Sequence, residues 1–267
     1  MSALAYTVSD ARTMLRRNLK HQRRYPSVTL MLVGMPIVFL LLFVFVFGGQ
    51  LGAGLGMHPH GDRTAYLTYV VPGILIMTVA SAALGTALSV AMDMTEGIID
   101  RFRTMAIARS AVLTGHVLGS LIQTVIGLAI VLVVALAIGY RPTAAPLAWL
   151  AAVGVLLLFA LALVCLSAAL GLAAKSVETA SNTPMFLTLL PLLSSGFVPT
   201  VTMPDGLRQF AEYQPYTPVT QTVRGLLTGT PSGSHAIAAI AWSLGIAAVS
   251  ALWAVRLYDR RRAADPK

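Results

Sequence analysis

The sequence has few charged residues and a single cysteine. Only 11% of its 267 residues are charged, whereas soluble domains carry about 25% charged residues. Hydrophobic residues make up 57% of the chain, and its mean hydropathy is +0.78. These values exclude an ordinary soluble globular protein and indicate a protein with several membrane spans. Because Cys165 is the only cysteine, no intrachain disulfide can form.

The sequence also lacks the motifs that would let the chain hydrolyse ATP or act as a membrane protease. It has no G-x-x-x-x-G-K-[ST] run, and none of its lysines follows a glycine, so a Walker A loop is excluded. It has no H-E-x-x-H motif, and His58 and His60 alone supply too few ligands for a metal site. We therefore expect no catalytic residue, cofactor or metal in this chain, and any ATP dependence must come from another subunit.

Six apolar segments follow one another along the chain, at 28–47, 67–92, 112–138, 147–174, 183–198 and 236–257. Most of them approach or exceed the roughly 20 residues with which a helix spans a bilayer. The sequence therefore predicts an all-α polytopic membrane protein with six transmembrane helices. Ionisable residues are nearly absent from the middle of these segments. That pattern argues against ion-coupled transport and suits a path for an apolar or amphipathic substrate.

Lysine and arginine are distributed unevenly between the loops. Fifteen of the 19 fall in the N-terminal stretch, the second and fourth loops and the C-terminus, and four fall in the other loops. Because cytoplasmic loops collect basic residues, both termini are predicted to be cytoplasmic. We expect the membrane to be the cell membrane of a bacterium. The net charge of +9 is then explained by the basic residues that set the membrane topology. We therefore expect no nucleic acid as a partner.

Residues 1–27 predict an amphipathic helix on the cytoplasmic surface of the membrane. Apolar and basic side chains recur there at helical spacing in two neighbouring stripes, the first Leu4, Val8, Ala11, Leu15 and Leu19, the second Arg12, Arg16, Lys20 and Arg23. The basic stripe would face the anionic headgroups of membrane lipids. The alternative is a disordered basic tail that only sets the topology.

The fifth apolar segment is short and contains Pro184 and Pro191. Proline frees a backbone carbonyl and kinks a helix, so we expect this segment to be broken or re-entrant. Residues 199–235 are too polar for lipid and predict two short amphipathic helices. The second of these is predicted to begin at Thr217-Pro218 and to end at Gly229.

The loop between the second and third segments has an amphipathic pattern. Acidic residues precede basic residues in 93–109, beside an apolar stripe of Ile98, Ile99, Phe102, Met105 and Ala106. A cytoplasmic helix of this kind can dock in a cleft of a soluble partner and transmit its motion. A membrane-surface helix with solvated charges is the alternative.

Two stretches resemble a known family. The first is E-G-I-I-D-R-F-R-T-M-A-I-A-R-S-A-V-L-T-G-H-V-L-G, from Glu96. The second begins at Asn182, runs through Pro-Met-Phe-Leu, and continues from Leu193 as L-S-S-G-F-V-P-T-V-T-M-P-D-G-L-R-Q-F-A-E-Y-Q-P-Y-T-P-V-T-Q-T-V-R-G-L-L-T-G. Both resemble ABC-2 type exporter permeases, particularly the daunorubicin-resistance-type membrane subunit. The resemblance covers most of the chain. The sequence departs from the family at Ala106, where proline is frequent, and at His116, where arginine is frequent.

The resemblance implies a half-transporter in which two permeases, identical or related, join two ABC ATPase subunits that bind ATP and magnesium. It implies an interface helix in 1–27, a six-helix transmembrane domain in 28–257 and a basic cytoplasmic tail in 258–267. Within that domain it implies a coupling helix at 94–106 and an outer re-entrant hairpin at 199–235. The ATPase-coupling residues would be Glu96, Gly97, Asp100, Arg101, Phe102 and Arg103.

The leading hypothesis is a permease subunit of an ATP-driven exporter. It would move hydrophobic or amphipathic molecules, such as drugs, lipids or secreted metabolites, outward by alternating access. The path-lining residues would be Met185, Phe186, Leu189, Leu193 and Phe197, although lipid-facing packing explains these side chains about as well. The alternatives are export of a lipid-linked polysaccharide and a scaffold or immunity protein that transports nothing.

Overall fold

The computed structural model of the chain describes residues 12–20, 24, 26–54, 63–95, 109–174, 176–230 and 233–263. These residues form helices joined by turns, and no β-strand occurs among them. The long helices are α2 (Pro26–Leu41), α4 (Arg63–Thr95), α5 (Arg109–Ala137), α6 (Pro146–Ala173) and α11 (Gly233–Ala263). The short helices are α1 (12–20), α3 (Gly48–Gly54), α7 (Val177–Asn182), α8 (Met185–Leu189), α9 (Asp205–Tyr213) and α10 (Tyr216–Thr228).

Five stretches are long and apolar enough to cross a membrane: Leu32–Gly52, Arg63–Thr95, Leu113–Ala137, Pro146–Ala173 and Gly233–Leu257. The first includes a π-helical turn, Leu42–Phe47, which joins α2 to α3. These stretches correspond to five of the six predicted segments. The chain is thus a helical, multi-pass membrane protein.

Helix α4 lies at the centre of the bundle. In the most apolar stretch of α4, 72% of the residues are buried, whereas 17% are buried in the most apolar stretch of α11. Small residues let the neighbouring helices approach closely, because a Cβ atom added at Gly171 of α6 would lie 2.6 Å from the carbonyl oxygen of Ala87. Likewise, Gly127 of α5 lies against Leu32 of α2 and Thr78 of α4. Three of the other long helices therefore pack on or beside α4.

The predicted fifth span is not a continuous helix. Helix α7 ends before Pro184, α8 ends at Leu189, and a 3₁₀ turn at Leu190–Leu193 contains Pro191. An irregular segment, 194–199, follows this turn. The two prolines explain both interruptions, because neither can donate the backbone hydrogen bond that would continue a helix.

Two short helices occupy 205–228, as the amphipathic pattern predicts. Helix α9 is stabilised along its surface by Arg208, which donates a 2.8 Å hydrogen bond to Glu212 four residues later and lowers the pKa of that carboxyl. Helix α10 begins at Tyr216, one residue before the predicted start, and is followed by Gly229. Gly229 has a φ of +74°, the left-handed conformation in which glycine ends a helix without strain.

The close approach of Gly73 in α4 to Gly196 in the irregular segment gives a test of this packing. A Cβ atom at Gly73 would lie 2.7 Å from the carbonyl oxygen of Gly196. We expect Gly73→Ala to destabilise the folded protein by about 1–3 kcal/mol, because two backbones must move apart. Gly85→Ala in the same helix is the control, since its Cβ would meet nothing within 4 Å. Thermal unfolding midpoints of the detergent-solubilised variants measure the difference, and equal midpoints would contradict the close approach.

Candidate functional site

Two polar clusters lie at opposite ends of the bundle. The Arg63 end contains the beginnings of α4 and α6 and the end of α5. The Thr95 end contains the end of α4, the beginning of α5 and the end of α6. The first cluster surrounds the broken segment near the Arg63 end, and the second surrounds Asp93 at the Thr95 end. Between them the described spans are packed mainly by apolar side chains.

In the first cluster, Tyr216 supplies a hydrogen bond that Pro191 cannot make. The carbonyl of Leu187, four residues before Pro191, has lost the donor that a continuous helix would provide. The Tyr216 hydroxyl donates to that carbonyl oxygen at 2.8 Å. Tyr216 is fully buried, and its ring and the Phe159 ring pack in a T-shaped arrangement, with the centroids 5.1 Å apart. A side chain of α10 therefore replaces the missing backbone donor.

Other side chains satisfy the next backbone groups of the broken segment. The amide nitrogen of Gln214 donates to the carbonyl oxygen of Leu193 at 2.7 Å. The backbone amide of Ser195 donates to the hydroxyl of Thr217 at 3.1 Å. Irregular backbone inside an apolar bundle is tolerated only where its polar groups find such partners. The broken segment thus depends on α10 and on the turn that precedes it.

Arg224 of α10 ties together three parts of the first cluster. Its guanidinium donates to the carbonyl oxygens of Tyr69 at 3.0 Å and of Ser195 at 2.8 Å. It also lies over the Tyr69 ring, 3.8 Å from the centroid. The Tyr69 hydroxyl in turn donates to the carbonyl oxygen of Ser195 at 3.0 Å. Arg224 therefore fastens α10 to α4 and to the irregular segment through neutral oxygen acceptors.

Hydrogen-bonding capacity remains unused around this cluster. The hydroxyls of Tyr140 and Ser195 and the side-chain amide oxygen of Gln214 are buried and have no hydrogen-bond partner among the described residues. Burial raises the pKa of the Tyr140 hydroxyl to about 12, with the nearby Arg224 charge acting in the opposite direction. Tyr140 is therefore neutral at physiological pH. These three groups can bind water or a polar group of a substrate if the surrounding helices separate.

The five predicted path residues do not share one surface. Met185, Phe186, Leu189 and Leu193 are 51%, 49%, 50% and 40% exposed and form an apolar face on α8 and the 3₁₀ turn. Phe197 is only 2% exposed and packs on Phe43, with the ring centroids 4.8 Å apart. We call the first four residues the α8 face. Phe197 belongs to the core beneath the Arg63 end.

The predicted coupling residues Glu96, Gly97, Asp100, Arg101, Phe102 and Arg103 lie outside the described residues. His58 and His60 also lie outside them. The structure therefore describes the flanks of the loop, up to Thr95 and again from Arg109. The second polar cluster is built on these flanks.

Asp93, in the last turn of α4, has cationic or hydrogen-bonding partners on two other helices. Arg17 of α1 donates to both of its carboxylate oxygens, at 2.8 and 3.0 Å. The Nε2 atom of His116 in α5 lies 3.1 Å from the second oxygen. Asp93 is 9% exposed and His116 is 6% exposed. The carboxylate is thus paired on two sides, as a buried charge requires.

A second contact joins α1 to α5. Met14 of α1 is buried against Gly115, where an added Cβ atom would lie 2.6 Å from the Cβ of Met14. The sequence pattern placed the apolar stripe of this helix on Leu15 and Leu19 and did not single out Met14, Arg17 or Asp93 as partners. The available signal was Asp93 itself, because an acidic residue in the last turn of an apolar helix needs a cation.

Comparison with known proteins gives consistent relatives. A family profile described as ABC-2 type transporter matches residues 10–228, which include both polar clusters. The daunorubicin resistance ABC transporter permease protein DrrB1 of Streptomyces coeruleorubidus is 31% identical over 264 residues, which cover 98% of this chain and 90% of the relative. The probable doxorubicin resistance ABC transporter permease protein DrrC of Mycobacterium tuberculosis is 22% identical over 245 residues, covering 91% and 86%.

The hydrogen bond from Tyr216 to Leu187 gives the test of the first cluster. Tyr216→Phe should destabilise the protein by about 1–3 kcal/mol, because it leaves the Leu187 carbonyl buried without a donor. Tyr213→Phe is the control, since Tyr213 lies on the neighbouring helix and is 77% exposed. The two variants are compared by thermal unfolding in the same detergent. A Tyr216 variant as stable as the Tyr213 variant would rule out this role for the hydroxyl.

Proposed function

Because this chain belongs to the ABC-2 type transporter family, we propose that it forms half of the membrane part of an ATP-driven exporter of hydrophobic or amphipathic molecules. The nearly full-length similarity to a daunorubicin resistance permease is the observation that carries this proposal. The exposed apolar α8 face and the unused hydrogen-bonding groups of the first cluster suit a hydrophobic or amphipathic molecule.

The topology proposed for the permease has six crossings and cytoplasmic termini. Helix α6 ends at the Thr95 end, whereas the end of α10 lies at the Arg63 end, where the Thr143 hydroxyl is 3.5 Å from the Thr228 carbonyl oxygen. The chain between 174 and 228 must therefore cross the bundle once. The broken segment makes this crossing in our proposal, and the excess of basic residues supports a cytoplasmic Thr95 end.

Helices α9 and α10 form the outer re-entrant hairpin in this proposal. Tyr216, at the beginning of α10, packs on Phe159, which lies halfway along α6. From there α10 rises over about 18 Å to Thr228 at the Arg63 end, given a rise of 1.5 Å per residue. These two contacts support a hairpin that dips to the middle of the bundle and returns to the outer surface.

Helix α1 is the proposed interface helix. Met14 places it beside Gly115, close to Leu113, where the third apolar span begins. Arg12, Arg16 and Lys20 are exposed on the same helix. Because α1 lies beside the beginning of this span, its cations can reach the headgroups of anionic lipids in the cytoplasmic leaflet.

Energy enters through the cytoplasmic loop in our proposal. Two ABC ATPase subunits, which bind ATP and magnesium, would each receive the coupling helix 94–106 of one permease. Their closure on ATP would push the two loops and rock two permease copies, or one copy and a paralogue, against each other. The path between the permeases would then open outward, with the α8 face as one of its walls.

Purification of the tagged permease from its native membrane tests the partnership. We expect mass spectrometry to find a Walker A ATPase in stoichiometric amount. The charge-reversed variant Arg101→Glu/Arg103→Glu should accumulate normally in the membrane but lose coupling between ATP hydrolysis and export, because its loop no longer complements the ATPase cleft. Permease that purifies without an ATPase in several mild detergents would favour the scaffold role. Unchanged export by the double variant would reject the role of the two arginines.

A tryptophan substitution on the α8 face tests the proposed path. Leu189→Trp should reduce ATP-dependent drug export by about tenfold, the factor that corresponds to ~1.4 kcal/mol of lost binding, because the larger ring fills the path. Leu150→Trp is the control, since Leu150 is exposed on α6 and tryptophan is well accepted on a lipid-facing surface. Export is measured in inside-out vesicles at equal permease content. Equal export by the two variants would make the α8 face a lipid-facing surface.

A further inference from the structure

We infer that Arg17, Asp93 and His116 make helix α1 part of the unit that moves when the partner ATPase acts on the coupling loop. Asp93 is a positioning residue in this mechanism, because it acts through the helices that it joins. The inference rests on the proposed function, in which the loop following α4 receives the stroke of the ATPase. The new element is that motion of the loop also displaces α1, in addition to the transmembrane helices.

The position of the cluster in the chain is the first reason. Asp93 lies at the last turn of α4, just before the proposed coupling helix, and His116 lies near the beginning of α5, just after it. Their 3.1 Å contact joins the end of α4 to the beginning of α5, the two helices that flank the loop. A displacement of the loop therefore reaches Asp93 and His116 before it reaches the rest of either helix.

The chemistry of the cluster is the second reason. Asp93 is buried, and its two oxygens accept hydrogen bonds from Arg17 at 2.8 and 3.0 Å. Separating Arg17 from Asp93 would leave a carboxylate in a poorly solvated position, which is strongly unfavourable. The pair is expected to stay closed while the loop moves. Helix α1 must then follow Asp93.

The number of attachments is the third reason. Helix α1 is held to α4 by Arg17 and to α5 by Met14, which packs on Gly115. Two attachments to different helices limit both sliding and rotation of α1 relative to the base of the loop. The exposed cations of the same helix, Arg12, Arg16 and Lys20, make no ion pair within the described part of the chain.

Site-specific labelling of the permease–ATPase complex tests this inference. Two single-cysteine reporters are built in a Cys165→Ser background, Lys20→Cys on α1 and Phe102→Cys in the loop. The rate of maleimide labelling is measured in membrane vesicles with and without ATP plus vanadate. We expect at least a twofold change with nucleotide at both reporters. In Asp93→Asn the loop reporter should keep its change and the α1 reporter should lose it.

Two further variants separate transmission from a general effect on folding. The exchanged pair Arg17→Asp/Asp93→Arg should restore the response of the α1 reporter, since the ion pair is re-formed with reversed polarity. Arg16→Gln changes an exposed residue of the same helix that makes no ion pair among the described residues, and it should leave both reporters unchanged. If Asp93→Asn does not accumulate in the membrane, Arg17→Gln replaces it, because that change leaves Asp93 paired with His116. The amount of drug exported per ATP hydrolysed should fall severalfold in Asp93→Asn and recover in the exchanged pair.

Each outcome decides the inference. A response of the loop reporter without a response of the α1 reporter in the unmodified cluster overturns it and leaves the proposed function standing. An α1 response that survives Asp93→Asn and Arg17→Gln also overturns it. A complex in which neither reporter responds removes the coupling role of the loop, and the inference is rejected with it. Loss at α1 alone, with recovery in the exchanged pair, supports it.

Discussion

A buried carbonyl group without a helical donor imposes the main constraint on this protein. Pro191 leaves the Leu187 carbonyl open inside an apolar bundle, and no water is available in lipid to satisfy it. The Tyr216 hydroxyl donates a hydrogen bond to this carbonyl at 2.8 Å. Gln214, Thr217 and Arg224 form hydrogen bonds with the backbone groups of the residues that follow. Helix α10 and the turn that precedes it are therefore required for the broken segment to exist within the bundle.

The apolar pattern of the sequence predicts much of the fold because lipid makes a simple demand on helix length and composition. Five of the six predicted segments are long helices. Pro184 and Pro191 mark the interruptions of the remaining one, the fifth segment. Gly229 ends α10 as predicted, since few other residues adopt its backbone conformation easily. These features depend on local sequence, which is why they can be predicted from it.

The contacts between distant parts of the chain could not be predicted in this way. Arg224 and Tyr69 are 155 residues apart, and Arg17 and Asp93 are 76 apart. Neither spacing carries a local pattern, and several arginines could have satisfied each acceptor. The predicted path residues show the same limit, because the sequence analysis included Phe197 among them, whereas the packing of Phe197 on Phe43 places that ring in the core.

Helix α4 connects the two polar clusters mechanically. Tyr69 and Asp93 lie on this one helix, about 36 Å apart at 1.5 Å per residue. At one end, Arg224 donates to neutral oxygens that belong to α4 and the irregular segment, so its release from them would leave a buried cation with Gln221 of its own helix as its remaining hydrogen-bond acceptor among the described residues. At the other end, Asp93 is held by Arg17 and His116. In the proposed mechanism, a stroke applied beside Asp93 would act on a helix that is joined to α10 at one end and to α1 and α5 at the other, so α10 would move with α4 for as long as the Arg224 contacts hold.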